Sequence, residues 1–96
     1  MNFSVIASFT VAPDSVTFFE EKLKQLAATT QKEAGCLEYE VNTNSEVEGG
    51  YFIFEKYVTY EEYLLHRESA HNLEFRAAVG NLFTQPPVVL RGSKAW

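Results

Sequence analysis

The sequence predicts an α+β domain of the ferredoxin-like kind: β-α-β-β-α-β, a four-stranded antiparallel sheet with helices on one face. Three observations carry this expectation. Short stretches with apolar residues at every second position occur four times along the chain. Two stretches with apolar residues at three- and four-residue intervals separate the first from the second and the third from the fourth. The middle two alternating stretches are joined by a short polar loop ending in Gly49-Gly50, as in a hairpin.

The first strand spans residues 3–11, FSVIASFTV, with Phe3, Val5, Ala7, Phe9 and Val11 on one face and a mixed set on the other. Pro13 and Asp14 end it and open a helix, Pro in the first turn and Asp as N-cap. From Ser15 to about Glu33, Val16, Phe19, Leu23, Leu26, Ala27 and Thr30 form an apolar stripe opposite Glu20, Glu21, Lys24 and Lys32, with Gly35 as the expected C-cap. CLEYEVNTN (36–44) alternates, with Leu37, Tyr39 and Val41 on one face. YFIFEKYV (51–58) is apolar on both faces apart from Glu55 and Lys56. Thr59 through Glu62 make a capping box that starts the second helical stretch, and Ser69 is a second potential N-cap within it. That stretch continues to about Thr84, Pro86-Pro87 stops it, and VVLRGSKAW makes a last strand reaching the chain end. A strand apolar on both faces, in a sheet covered on one, needs a second cover. The economical cover is the sheet of another copy, so a homodimer packed sheet to sheet is expected.

Ninety-six residues suit one domain, residues 1–96, rich enough in apolar side chains (46%) to bury a core. The net charge of −5 and singly scattered basic residues argue against a nucleic-acid partner. No apolar run is long enough to span a membrane, and no export signal opens the chain. One cysteine, Cys36, excludes an internal disulfide framework, and the cytoplasm is the expected compartment.

The polar groups worth following are few. His66 and His71, the only histidines, stand five apart in HRESAH. On a continuous helix, residues five apart point roughly 140° away from each other, so the two could share a metal only if the helix breaks near Ser69. Glu68, Glu74 or Glu55 would then have to complete the ligand set. The competing readings are surface or structural histidines, and imidazoles that position or protonate a small substrate. Glu55 lies between Ile53 and Tyr57 on its face. It is either paired with a partner's lysine, Arg67 or Arg76, or it is a carboxylate in an enclosed cavity whose pKa can be raised for acid–base work. Tyr39, Tyr51, Tyr57, Tyr60 and Tyr63 serve as core or interface, or line a site for a flat aromatic ligand. Cys36 reads as a small buried hydrophobe. No phosphate-binding glycine loop, dinucleotide fingerprint or Ser-His-Asp motif is present.

Three runs together, EAGCLEYEV (33–41), FIFEKYVTYEEY (52–63) and LLHRESAH (64–71), resemble the antibiotic biosynthesis monooxygenase family over nearly the whole chain. The resemblance implies a dimeric α+β barrel of ferredoxin-like protomers. It implies a small monooxygenase that oxidises a quinol or phenol with dioxygen and no prosthetic group or metal. Glu55, His66 and His71 would be the catalytic polar groups of a cavity between sheet and helices, with Tyr39, Tyr51, Tyr57 and Tyr63 as substrate-binding residues. Other family members isomerise a phosphorylated autoinducer-2 breakdown product with the same glutamate and histidines, and a non-catalytic dimeric ligand-binding module is a third reading. A phosphorylated substrate would need a basic cluster at the cavity mouth, for which Arg67, Arg76 and Arg91 are the candidates. The haem-degrading branch fits less well, because its tryptophan would fall between Tyr57 and Tyr63 and the only tryptophan here is Trp96. Arg67 and Glu68 stand where members more often carry small or apolar residues.

Overall fold

A computed structural model describes residues 1–96. Its elements in chain order are β1 (Phe3–Thr10), a 3-10 turn (Pro13–Ser15), α1 (Val16–Thr30), β2 (Cys36–Thr43), β3 (Gly50–Tyr57), α2 (Tyr60–Arg67), α3 (Ala70–Val79) and β4 (Val88–Ser93). The strands form one sheet in the order β2-β3-β1-β4, every neighbouring pair antiparallel. This is the expected ferredoxin-like arrangement. No helix is long and apolar enough to cross a membrane.

Cross-strand register sorts side chains into rows, because antiparallel partners project to the same face. Facing the helices, one row runs Val41, Ile53, Ala7, Val89 and the next runs Tyr39, Glu55, Val5, Arg91. On the other face, Phe54, Ile6 and Leu90 make one row and Phe52, Ser8 and Val88 another. Ile6, Phe52, Val88 and Leu90 are all exposed there. The core lies between the inner rows and the helices. Its larger part joins Phe19, Leu23 and Leu26 of α1 with Tyr39, Tyr51 and Ile53 of the sheet and Phe75 and Val79 of α3. A smaller part holds Phe3, Val5, Tyr57 and Tyr63.

Several local expectations are corrected. Asp14 does not cap α1: Pro13–Ser15 form a separate 3-10 turn, and Ser15 takes the N-cap position without a side-chain bond. α1 ends at Thr30 with Gln31 as C-cap, so Gly35 caps nothing. A Cβ on Gly35 would lie 2.3 Å from Glu62 Oε2 and 2.5 Å from Glu62 Cβ, so the glycine is demanded by close approach and not by helix termination. The left-handed glycine is Gly49 (φ 74°), whose carbonyl accepts Val11 N–H at 2.9 Å. A bulge between Cys36 and Glu38 takes Leu37 out of register and leaves it exposed. α3 stops at Val79, short of Thr84, and β4 stops at Ser93, short of the chain end.

Candidate active site

β3 turns Tyr51, Ile53, Glu55 and Tyr57 toward the helices, since alternate residues of a strand share a face. Glu55 is therefore buried, at 5% exposure. A carboxylate in such a place needs a partner. The Tyr57 hydroxyl donates to Glu55 Oε1 at 2.6 Å, while Lys56 faces the other way and pairs with Glu38 at 3.3 Å. Burial pushes the Glu55 carboxyl up to about 7. The Tyr57 bond opposes that rise, the negative charge of Glu33 adds to it, and the positive charge of Arg91 opposes it.

The helices bring the imidazoles over this face. Thr59 Oγ1 accepts Glu62 N–H at 3.2 Å and starts α2, which carries His66 on its inner side at 5% exposure. Ser69 breaks the helix: its hydroxyl donates to His66 O at 2.6 Å and accepts Asn72 N–H at 3.3 Å, starting α3 in a new direction. That break cancels the 140° divergence of an unbroken helix, and the imidazole rings lie 6.0 Å apart. Both converge on Glu33, in the turn region after α1. His66 Nδ1–H donates to Glu33 Oε2 at 3.0 Å, and His71 Nε2–H donates to the same oxygen. Because Nδ1 carries the donated proton, His66 Nε2 keeps its lone pair, and it points to Glu55 Oε1 at 3.9 Å. Burial lowers the His66 pKa, and the bond to Glu33 opposes this. Tyr39 and Tyr57 hold the ring from the sides, with centroids 5.8 and 5.4 Å away.

A cavity of about 640 Å³ opens between the sheet and the two later helices, within the range of small-molecule sites. Glu55, His66, Tyr39 and Tyr63 line it. Tyr57 is fully buried behind Glu55 and forms no part of the lining. His71 also stays outside the lining and reaches the site through Glu33. Tyr51 lies at the far end of β3, where its hydroxyl donates to Glu20 Oε2 at 2.6 Å. Arg67, Arg76 and Arg91 all line the cavity, and all three are exposed residues. Arg91 Nε–H donates to the Tyr63 hydroxyl at 2.8 Å, and its guanidinium carbon lies 5.9 Å from that ring's centroid.

Glu33 is the site residue that sequence reasoning passed over. It took Glu33 for the tail of α1 and looked to Glu68, Glu74 or Glu55 to join the histidines, and none of the three stands in this cluster. The signal was present: Glu33 opens the EAGC run. One carboxylate oxygen and two imidazole nitrogens, all within 4.8 Å of one another, are also a set that zinc or iron(II) accepts. Proton-mediated contacts already satisfy it, since each imidazole donates to Glu33. Cys36 supplies no nucleophile: burial, with Glu33 and Glu55 nearby, pushes its thiol up to about 11.

The fold recurs in known proteins. The family model for antibiotic biosynthesis monooxygenase matches residues 2–78, which run from β1 to the end of α3. The Mycobacterium tuberculosis protein Rv0793, named only as a candidate monooxygenase, is 34% identical over 86 residues, covering 90% of this chain and 84% of its own length. The structure of Rv0793 superposes with a TM-score of 0.91, at 31% identity, over 98% of this chain and 95% of that one. A Caulobacter crescentus structure bearing the family's name as a candidate assignment gives 0.93 at 26% identity, over 99% and 91%. One from Nitrosomonas europaea gives 0.93 at 19% identity over the same shares, a likeness of fold alone. With the family model matching residues 2–78, a span that contains Glu33, Glu55 and both histidines, and with a relative 34% identical over most of both chains, this chain belongs to the antibiotic biosynthesis monooxygenase family.

Proposed function

We propose that this protein is a cofactor-independent monooxygenase that oxidises a small quinol or phenol with dioxygen. One observation carries the reading: His66 offers Nε2 to the cavity, 3.9 Å from Glu55, while Nδ1–H is held by Glu33. This is the logic of a carboxylate-oriented imidazole base. A gap of 3.9 Å is too long for a direct hydrogen bond. It admits a single substrate oxygen at about 2.8 Å from both groups, with an angle near 90° at that oxygen.

In the reaction, His66 Nε2 takes the hydroxyl proton, the carboxylate of Glu33 stabilises the imidazolium, and the carboxyl of Glu55, raised to about 7 and so available in its protonated form, donates to the phenolate oxygen. The phenolate passes one electron to dioxygen, and the resulting radical pair joins at a ring carbon that bears hydrogen. The imidazolium returns its proton to give a hydroperoxide. Loss of the ring C–H proton and cleavage of the O–O bond then release water and leave a quinone. One atom of dioxygen enters the product and the other leaves as water. The substrate supplies all the electrons, so the reading calls for no flavin, haem or metal. Tyr39, Ile53 and Tyr63 give the ring an apolar, aromatic bed.

The working unit in this proposal is a homodimer packed sheet to sheet. Support comes from the outer rows, where Ile6, Phe52, Val88 and Leu90 are exposed and Phe54 is half-buried, an apolar patch around Ser8 on a sheet face without helices. Sedimentation should give a dimer, and Leu90→Glu should give a monomer. A monomeric parent protein would overturn this part.

The deciding experiment is oxygen uptake with a panel of reduced quinones and phenols in the presence of a chelator and without flavin. Substrate-dependent uptake is expected, with one labelled oxygen atom in the product. Binding without uptake would sink the oxygenase reading and favour a ligand-binding module. A second reading, isomerisation of a small phosphorylated metabolite, draws support from the three arginines on the same cavity. It predicts turnover that is indifferent to removal of oxygen.

A further inference from the structure

We propose that the cavity selects substrates bearing an anionic group, a carboxylate or phosphate, which Arg67, Arg76 and Arg91 hold while the reacting hydroxyl lies between His66 and Glu55. The reacting end of this proposal rests on the function given above; the anion site does not.

The chain contains three arginines and five lysines. All three arginines line the cavity of Glu55 and His66, and no lysine does. Arginine is the residue whose planar fork matches carboxylate and phosphate oxygens in pairs. None of the three is in an ion pair. The one lysine–carboxylate pair joins Lys56 to Glu38, and Glu33 is taken by both imidazoles. Glu55 is the one carboxylate in the lining. The cavity is therefore cationic in a chain of net charge −5, opposite in sign to the rest of the molecule. Such a cavity concentrates the field on an incoming anion.

Register gives the spacing. Arg91 and Glu55 occupy one inner row with Val5 between them, which sets their Cα atoms about 10 Å apart at ordinary strand spacing. The Tyr63 hydroxyl takes Arg91 Nε–H and fixes the guanidinium, leaving its terminal nitrogens for a ligand. Arg67 follows His66 directly at the end of α2, and its carbonyl is held by Asn72 Nδ2 at 2.9 Å. One aromatic ring fits between the hydroxyl site and an anion at Arg91. Arg91 also lies beyond residues 2–78, so the anion site draws on a strand outside the family match. The alternative is that the arginine stems merely cover apolar surface with their heads in solvent. It predicts equal binding of neutral and anionic ligands.

The test is calorimetric titration of the whole protein with 1,4-dihydroxybenzene, 2,5-dihydroxybenzoate and 4-hydroxyphenyl phosphate, with oxygen uptake measured in parallel. An anionic probe should bind at least about tenfold more tightly than the neutral one. Whichever of the two binds better identifies the anion as carboxylate or phosphate. Arg76→Gln combined with Arg91→Gln should weaken the anionic probes by about tenfold and the neutral probe by less than about twofold. Arg91→Lys, which keeps the charge and loses the fork, should recover part of the loss. Equal affinity for neutral and anionic probes, equal losses for both in the variants, or no binding of either anion overturns the proposal. If Arg91→Gln does not fold, Arg67→Gln with Arg76→Gln carries the same comparison, since neither side chain makes a hydrogen bond within the protein. Arginine-dependent anion binding without oxygen uptake would sink the oxygenase reading and sustain this one. Uptake with the neutral quinol and no anion preference would do the reverse.

Discussion

The helix-covered face of the sheet has an apolar end and a polar end, and on β3 a single residue, Phe54, separates them. Ile53 packs into a cluster with Phe19, Leu23 and Val79, all nearly inaccessible to solvent. Glu55, on the same face, meets Tyr57, His66 and the field of Glu33 and Arg91. Four rings surround Phe19, those of Phe9, Tyr51, Phe75 and Phe83, with centroids 5.1–6.1 Å away. The rings of Tyr39 and Tyr57 surround His66 at similar distances. Aromatic packing is thus common to both ends. What differs is that the Glu55 end encloses two carboxylates and two imidazoles within a dense frame. The apolar end supplies the rigidity that keeps those groups from relaxing into water.

The strongest way to break that division of labour is at Phe19. Phe19→Ala should destabilise the fold by about 3–5 kcal/mol, a large part of the stability of a domain this small, as read by urea unfolding. Quinol-dependent uptake per folded molecule should persist under stabilising conditions. If uptake collapses while the fold holds, the two ends are not separable. His66→Gln probes the other end. It should lower kcat/KM by about 100-fold or more with unfolding unchanged to within about 1 kcal/mol. Full activity in that variant would remove His66 from the chemistry.

The polar end should also give itself away in stability against pH. Glu55 has a folded pKa of about 7 against an ordinary value of 4.5. Its contribution is therefore fully present below the ordinary carboxylate range and is lost as pH rises through about 7. The loss amounts to about 3 kcal/mol at most. His66 has the opposite sign: its lowered pKa gives stability above the ordinary histidine range that is lost as pH falls. Glu55→Gln should therefore melt higher than the parent above pH 8 and near it at pH 5, while losing at least about tenfold in turnover. Parallel melting curves across that range would show that Glu55 is not held near neutrality.

Much of the frame was legible because it depends on local rules. Period-two alternation gave four strands, and the side chains of Thr59 and Ser69 accept the N–H bonds that their spacing implied. Glu55 stood out because a carboxylate between Ile53 and Tyr57 violates the pattern around it. Glu33 was not legible by the same means. It meets His66 and His71 across 33 and 38 residues, and neither periodicity nor capping constrains such a distance. The angular argument against convergence of the histidines holds only for a straight helix, and the break expected at Ser69 is what lets them meet. Alternation also assigns a residue to a face without saying which end of the face is open. For that reason Tyr39, Tyr51, Tyr57 and Tyr63 looked equivalent in sequence. Pairing with β4, which brings Arg91 onto the Glu55 row, is a long-range register that the alternating pattern leaves free.

The smallest expected effects make the sharpest comparison, because the two ends carry matched tyrosine–glutamate contacts. Tyr51 donates to Glu20 and Tyr57 donates to Glu55, each at 2.6 Å. Glu20 lies on α1 with access to water, whereas Glu55 is buried. Water can replace the Tyr51 hydroxyl, so Tyr51→Phe should cost about 0.5–1 kcal/mol and leave turnover and its pH profile unmoved. Nothing replaces the Tyr57 hydroxyl. Its bond is the leading influence holding the Glu55 carboxyl down against burial. Tyr57→Phe should therefore move the Glu55-dependent limb of the pH–rate profile, and the midpoint of its pH–stability curve, upward from about 7. The shift separates an electrostatic role from a packing role, since losing a packing contact lowers stability equally at every pH. Equal pH shifts from the two substitutions, or none from either, would mean that burial of Glu55 is not what distinguishes the polar end.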